Sequence, residues 1–561
     1  MSNAARGTNL FETDLNLQNL LERRDPDLLE RHEARLAEFG AWAGGPLEAQ
    51  AEHTDRFANP KLEAYGPSGE RTGRVVFNPD YLACHAEAYR RGAVGLPYTE
   101  EGAGSHAACF AMGYMLSQAD ISIHCPVTMT GAVAYVLDRL APAVIKDRFL
   151  PEMIRMDGRA LSGGTWATEL HGGSDVGATT SRAEARNDGF RLHGVKWFTS
   201  NAGSGLALAT ARPADAQGDG AEAGDKGLGC YLVPSHLEDG TPNHYRPRRL
   251  KEKAGTRGLA TAELDLLGCV AHEVAPPPDG LRTMMAALEY SRIHNAVGSA
   301  GLHRRAFVES LGWATERHAF GQPIRRYPMV RDQLLDMQME LEASAALAFE
   351  SVFAFDAALA DHGGGGEDWL RVATALAKYR TAEQAVRACR TAVEIVGGNG
   401  YTEEFPTARL YRDCLVVAVW EGPANIQALE LLRLVAGKRP GDQSFLARVG
   451  AVLADLPPGL GDTAEILEGA LEECRRALAY VRRNPQEGPR HGRRLLDLLS
   501  DTLAAALLCE EATADLKLGD RRKLLVAQRF VRKVLGRFDP IGTEVDPAFA
   551  EFDAVIGYEG V

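Results

Sequence analysis

The feature that most constrains this chain is a change of hydrophobic period in its middle. From Asp27 to about Met156 apolar residues recur mainly at helical spacing, as in PDYLACHAEAYRRG (79–92). Between Ala160 and about Val274 the pattern becomes short β-branched and aromatic runs, GFRLHGVKWFTSNA, GLALATARP and GLGCYLVPS, separated by Gly-rich turns. The small and acidic stretch ADAQGDGAEAGDKG between two of these runs should be an exposed loop. After VAPPPDG the helical period returns, predicting helices from Leu281 to about Thr315, Val330 to about Ala360, Trp369 to about Val396, and Asn425 to Ala436. Beyond the RPGDQS break at Arg439 to Ser444, Glu465–Arg483, Arg490–Leu518 and Arg521–Gly536 read as further helices. The expected class is α+β, mostly α. It comprises an N-terminal extension and helical domain (1–159), a β-domain (160–274), a helical bundle (275–438) and a C-terminal basic helical module (439–561). A chain of 561 residues exceeds one hydrophobic core, so about three or four domains are expected. The sequence lacks βαβ alternation and a GxGxxG after a strand, which argues against a Rossmann-type dinucleotide site.

Composition narrows the class further. Hydrophobic residues make up 45% and charged residues 25%, so an ordered globular chain is expected. No segment approaches the ~20 consecutive apolar residues that a membrane span needs. Glu12 and Asp14 interrupt the N-terminus where a secretory signal would be apolar, and the segment lacks the Arg-rich bias of a transit peptide, so a cytoplasmic protein is expected. Nine cysteines without a CxxC pair fit reduced, buried thiols and no metal site. The net charge of −14 is uneven: from Arg475 to Arg537 fifteen Lys and Arg face seven Asp and Glu. A basic module is attached to an acidic body.

Five clusters carry residues suited to chemistry. In TWATELHGGSDV (165–176), the hydroxyls of Thr168 and Ser174 beside paired glycines allow close approach of an isoalloxazine edge or a phosphate; a Gly-rich turn into a strand is the plainer alternative. In KWFTSN (196–201), Trp197 and Thr199 are two apart on a strand, so one can cover an aromatic ring while the other donates a hydrogen bond to it, although a strand Trp is more often core. In ERHAFGQPI (316–324), Arg317 suits a diphosphate, or is simply a surface Arg at a helix end. VGGNGY (396–401) places Gly397 and Gly398 at a helix end, where a Schellman-type stop is ordinary. Finally, VWEGPANI (419–426) places the Glu421 carboxylate among apolar and small residues just before a helix that Pro423 can start. Desolvation there would raise its pKa and make it a better base at neutral pH, whereas a helix-capping Glu is the alternative.

In this order the five clusters resemble the acyl-CoA dehydrogenase family, over roughly Asn78 to Ala436. The resemblance implies FAD held between the β-domain and the helical bundle, with Glu421 removing the α-proton of an acyl-CoA while hydride leaves the β-carbon for flavin N5. It places Thr165, Trp166, Thr168, Trp197, Phe198 and Thr199 in the cofactor set, with Gly397, Gly398 and Asn425. Ser174 falls near the diphosphate or pantetheine, and Arg292 near the base. Arg317 and Phe320 fall where a neighbouring subunit's FAD is contacted, implying an oligomer, typically a homotetramer. An electron-transfer flavoprotein is the family's usual acceptor. Pro423, Asn425 and Glu394 stand where the family commonly has Thr, Gln and Gln.

The extra N-terminal segment, the long C-terminal extension, CPVTMT (125–130), the Trp before Glu421 and Asn425 together resemble the AidB-type branch, the bacterial alkylation-response flavoproteins. In that branch the C-terminal module binds double-stranded DNA. Here Arg475, Arg476, Arg482 and Arg483 share one helix face, and Arg529, Arg532 and Lys533 another. Such stripes suit phosphate contact with little sequence specificity, or ion pairs to the acidic body or a sister subunit. Three readings stay open: an AidB-type flavoprotein with DNA binding, a metabolic short- or branched-chain acyl-CoA dehydrogenase whose extra helices hold the tetramer, and a binding module with a vestigial cofactor site.

Overall fold

A computed structural model describes residues 3–102, 104–214, 224–361, 366–437, 441–536 and 546–558. The chain forms two compact units, Pro46–His294 and Met1–Gly45 together with Asn295–Val561. The segment expected as an acidic exposed loop falls largely on residues 215–223, outside the described residues, as do Arg439 and Pro440 of the expected break.

In the first unit, helices Ala107–Ala119 and Ile121–Arg139 are almost wholly buried, and Asp120 caps the second by accepting from Ser122 N. Where the spacing reads as mainly helical, the structure inserts a hairpin, β1 (Lys61–Tyr65) and β2 (Arg71–Val76). Its strands are largely exposed and carry no apolar alternation, so nothing in the hydrophobic period announces them. The sheet that follows comprises β3 (Gly163–Trp166), β4 (Arg182–Arg186), β5 (Gly189–Ser200), β6 (Leu206–Ala214), β7 (Gly229–Pro234), β8 (Tyr245–Leu250) and β9 (Thr261–Ala275). Its order is β3-β6-β4-β5-β9-β7, with β8 on β9 and a β6–β7 pairing that closes the ring. Inward residues of these strands, among them Trp166, Leu192, Ala209, Tyr231, Val233 and Leu264, form its core.

The second unit is helical. Gly280–Glu316, whose residues from Asn295 onward belong to this unit, Pro328–Ala360, Gly366–Val396 and Ala424–Ala436 stand within three residues of the expected helices, and Pro406–Val417 adds one that the spacing did not single out. Between the first two, β10 (His318–Ala319) and β11 (Gln322–Pro323) form a minimal hairpin. Pro328–Ala360 is apolar and long enough to span a bilayer by composition, yet most of it is buried, and its Glu342 and Glu350 have cationic partners. The C-terminal helices Gly461–Arg483, Gly492–Lys517 and Arg522–Val534 belong to the same unit. The N-terminal helix Leu15–Arg24 also packs here: Arg23 forks onto Asp515, Arg24 pairs with Glu350 at 2.6 Å, and Lys523 donates to Asn16 at 2.9 Å. All nine cysteines are buried free thiols.

At the base of the C-terminal module Glu342 is fully buried and accepts from Arg522 and Lys523, each at 2.5 Å, while the Arg522 guanidinium lies 3.5 Å from the Tyr558 ring centroid. Burial alone would raise the Glu342 pKa; the two cations reverse this and hold it well below the usual range. Removing one member of such a cluster strands the others in a medium that solvates them poorly. Glu342→Gln is therefore expected to destabilise this unit by about 3–5 kcal/mol, read as a lower midpoint in thermal or urea unfolding.

Candidate functional site

Within the β-domain the TWATELHGGSD and KWFTSN clusters are brought together by a buried ion pair. The Lys196 ammonium on β5, with no exposed surface, donates to Glu169 Oε1 and to the Thr210 carbonyl on β6, each at 2.8 Å. Glu169 also accepts from Thr180 N and Oγ1, each at 2.7 Å, and from Ser181 N at 3.1 Å. Burial would push this carboxyl up, but Lys196 and the hydrogen bonds outweigh it and bring its pKa to about 2. One residue on, Trp197 N donates to the Thr168 carbonyl at 2.9 Å, so the two clusters run side by side.

On this frame the expected ligand-facing residues behave differently from one another. Thr165, Thr168 and Ser174 have hydroxyls with no hydrogen-bond partner among the described residues, a donor set that fits an isoalloxazine edge and a phosphate. Gly173 lies against Thr168, where a Cβ would come within 3.1 Å of Oγ1. Trp197 is half-buried, with the Lys251 ammonium 3.5 Å from its ring centroid and also over Phe198, which is exposed. Two expectations need correction. The Trp166 indole lies in the sheet core, 2% exposed and edge-on to Tyr245, because β3 turns that side chain inward. The buried Thr199 hydroxyl donates to the Ala262 carbonyl at 2.9 Å, a consequence of the β-bulge between Lys196 and Thr199 that breaks simple alternation. Arg292 is buried and pairs with Glu289 at 3.0 Å. Two residues on, His294 Nδ1 meets His124 Nε2 at 3.2 Å under Gly113, and burial holds both imidazoles neutral.

Within the helical unit Glu421 sits in the turn between Pro406–Val417 and Ala424–Ala436. Its backbone is left-handed, φ 56°, followed by Gly422 at φ 98°. The Lys378 ammonium donates to the Gly422 carbonyl at 2.7 Å, and Gln427 Nε2 lies 3.1 Å from the carbonyls of both Glu421 and Gly422. The following helix takes Pro423 as its N-cap, which offers no side-chain cap bond. Beside it, the Trp420 indole N–H is buried with no acceptor among the described residues. Gly397, at φ 76°, and Gly398 are exposed, as is Asn425 in the first turn of its helix. At the tip of the β10–β11 hairpin Phe320 is 96% exposed and left-handed, φ 49°, with Gly321 at φ 90°. Tyr327 Oη braces this tip by donating to the Ala319 carbonyl at 2.7 Å, and Arg317 is exposed with no ion pair among the described residues.

The C-terminal cations are mostly engaged within the chain. Arg475 and Arg476 pair with Glu472 and Glu473 three residues earlier, Arg482 with Asp442, Lys533 with Asp336, and the buried Arg529 with Asp332, Asp336 and Asp546. Arg483 and Arg532 make no ion pair among the described residues. Sequence reasoning did not single out Lys196, Glu169, Lys251, Lys378 or Gln427. For Lys196 the available signal was a lysine inside an apolar strand run, which requires a buried partner.

Compared with known proteins, the chain matches the acyl-CoA dehydrogenase C-terminal domain over residues 278–435, the acyl-CoA dehydrogenase middle domain over 164–269, and the adaptive response protein AidB N-terminal domain over 1–156. It is 33% identical over 425 residues to the putative acyl-CoA dehydrogenase AidB of Escherichia coli (strain K12), spanning 73% of this chain and 75% of that protein. Caenorhabditis elegans ACDH-11, whose crystal structure is in complex with C11-CoA, has a TM-score of 0.89 at 26% identity, covering 99% of this chain and 96% of that one. An acyl-CoA dehydrogenase from Bacillus anthracis complexed with FAD shares the fold, with a TM-score of 0.71 at 16% identity over 85% and 89% of the two chains.

The Lys196–Glu169 pair yields a double-mutant test. Lys196→Met and Glu169→Gln should each destabilise the β-domain by about 3–5 kcal/mol, since each strands one buried charge or its bonding partners. The double variant should fall short of the summed loss by on the order of 1–3 kcal/mol, and strictly additive losses in denaturant unfolding would show the two groups to be uncoupled. Because the Glu169 pKa is depressed, its stabilisation is complete above the ordinary value of 4.5 and fades as pH drops toward about 2.

Proposed function

The chain belongs to the acyl-CoA dehydrogenase family, in its AidB-type branch, and from that premise we propose that it oxidises a CoA thioester with Glu421 as the base. The observation that carries this reading is the Glu421–Gly422 turn: an acidic residue in a left-handed backbone, with its own and the next carbonyl tied down from two helices. Non-glycine residues persist in that conformation only where their surroundings enforce it, and such positions cluster at active sites. Glu421 takes the proton from the α-carbon, and the electron pair left behind forms the new double bond as hydride departs from the β-carbon. FAD, when bound, supplies the acceptor for that hydride.

The unpartnered hydroxyls of Thr165, Thr168 and Ser174 supply hydrogen bonds to the cofactor or to the CoA phosphates and pantetheine. Lys251 covers one face of the Trp197 indole, which leaves the other for a flat ring. The unpaired Arg317 and the strained, outward Phe320 are read as contacts to a second copy of the chain, in keeping with a homotetramer. An electron-transfer flavoprotein is the proposed oxidant that restores the enzyme.

C11-CoA, the ligand in the ACDH-11 complex, is the first thioester to try. Anaerobic addition to the purified yellow protein should bleach the flavin band. Glu421→Gln should keep its FAD yet slow this bleaching by on the order of 10²–10⁴-fold, the usual contribution of a positioned base. Bleaching at the wild-type rate would remove Glu421 from the reaction.

For the C-terminal module, five of the seven cations expected on DNA are engaged by carboxylates of the same chain, which supports a structural reading over phosphate contact. Duplex DNA of arbitrary sequence should then show no mobility shift near physiological ionic strength. A shift that weakens steeply with added salt would restore the DNA-binding reading and, with it, the link to alkylation damage.

A further inference from the structure

Lys378 lies inside the Gly366–Val396 helix, 1% exposed, at a position where an uncharged side chain of similar length would fill the same space. Carrying an ammonium into such a place is costly, so its donors must serve a purpose there. One of them reaches the Gly422 carbonyl at 2.7 Å. Gln427, wholly buried one turn into the next helix, presents its amide to the carbonyls of Glu421 and Gly422.

Two consecutive residues with positive φ point their carbonyls away from the helical pattern on either side, and buried carbonyls of that kind need donors. The turn has little room to settle otherwise: a Cβ at Gly422 would come within 2.9 Å of Gln427 Nε2 and 3.0 Å of Ile426 Cγ2. Upstream, Asn295 Nδ2 reaches the Val417 carbonyl at 3.2 Å and fixes where the preceding helix ends. The donors that reach the Glu421 and Gly422 carbonyls thus come from side chains at a distance in sequence or in the following helix, and they oppose relaxation of the strained Glu421 backbone.

We propose that Lys378, with Gln427, is a positioning residue that holds Glu421 in its left-handed turn and thereby aims the carboxylate; this rests on the reading of Glu421 as the base. Neither residue needs to touch the thioester. A proton acceptor loses rate quickly when its carboxylate wanders by an ångström, whereas ligand affinity depends on many other contacts. The signature of the role is a loss in the rate of the chemical step with binding preserved.

The test uses the FAD-loaded full-length protein with Lys378→Met, Lys378→Arg, Gln427→Met and Glu421→Gln. Amide hydrogen exchange over residues 416–427 should accelerate in Lys378→Met and Gln427→Met. The limiting rate of flavin reduction by C11-CoA should fall by on the order of 10–100-fold, while the C11-CoA concentration that half-perturbs the flavin spectrum stays within about three-fold. Lys378→Arg, which keeps a donor, should recover part of the rate. Unchanged exchange overturns the proposal whatever the ligand does. Faster exchange with a wild-type reduction rate, alongside an inactive Glu421→Gln, overturns it and leaves Glu421 as the base. Wild-type reduction in Glu421→Gln sinks the underlying reading and this proposal together. Should Lys378→Met fail to fold, Gln427→Met carries both readouts, and wild-type behaviour there is equally fatal.

Discussion

The β-domain depends on one contact more than any other, the ion pair between Lys196 and Glu169. It ties together the turn after β3, the segment entering β4, and strands β5 and β6, because Glu169 takes bonds from Thr180 and Ser181 while Lys196 gives one to Thr210. An ammonium with no exposed surface is tolerable only because its carboxylate partner is itself fully satisfied. Strand geometry does the rest. With Lys196 drawn inward, Trp197 must face the other way, and its amide binds the Thr168 carbonyl. The outward set is thus fixed by an inward salt bridge.

A second constraint recurs at the proposed working parts of the molecule: backbone strain that remote side chains hold in place. Among the non-glycine residues with positive φ, Asn201, Phe320 and Glu421 each fall within a cluster singled out from the sequence. Each is braced differently. Asn201 uses its own side chain, donating to the Gly163 carbonyl at 2.9 Å; Phe320 relies on the Tyr327 hydroxyl; Glu421 relies on Lys378 and Gln427. At ~1–3 kcal/mol apiece, such conformations survive only where packing and hydrogen bonds exceed that cost.

Which parts were legible in the sequence follows from the range of the interactions that make them. The long helices are set by local period, and their expected bounds lie close to the observed ones. The β1–β2 hairpin is largely exposed and left no such trace. The candidate base was readable because its neighbours in sequence, Trp420, Gly422 and Pro423, form its surroundings, yet one of its braces, Lys378, lies forty-four positions before the Gly422 carbonyl it binds. Trp166 and Thr199 were placed by motif, and only the strand facing and the bulge reveal where their polar atoms point. The partners of the basic stripes were hidden for a similar reason. Counting cations along a helix face finds Arg529 and Lys533, but the carboxylates that neutralise them, Asp332 and Asp336, lie almost two hundred positions away. Glu472 and Glu473, three residues before Arg475 and Arg476, were the partners within local reach.

The same helix that braces the proposed base also carries the C-terminal module. Immediately after Lys378, Tyr379 Oη donates to Asp497 at 2.8 Å and Arg380 pairs with Asp501 at 2.7 Å, both on the Gly492–Lys517 helix. Gly492, at the start of that helix, abuts Ala428 and Leu432 on the helix that follows Glu421, where a Cβ would come within 3.0 Å of Ala428. Burial pushes the Asp501 carboxyl up to about 7 despite Arg380, which marks a contact shielded from water rather than a loose surface pair. The Ala424–Ala436 helix is therefore packed by Gly492 of the module and preceded directly by the Glu421 turn. An addition joined to the bracing helix by a shielded ion pair and packed through Gly492 on the helix after Glu421 is mechanically part of the bundle. Several cations of the segment 475–537, among them Arg482, Arg522, Lys523 and Arg529, are paired with carboxylates of the same chain.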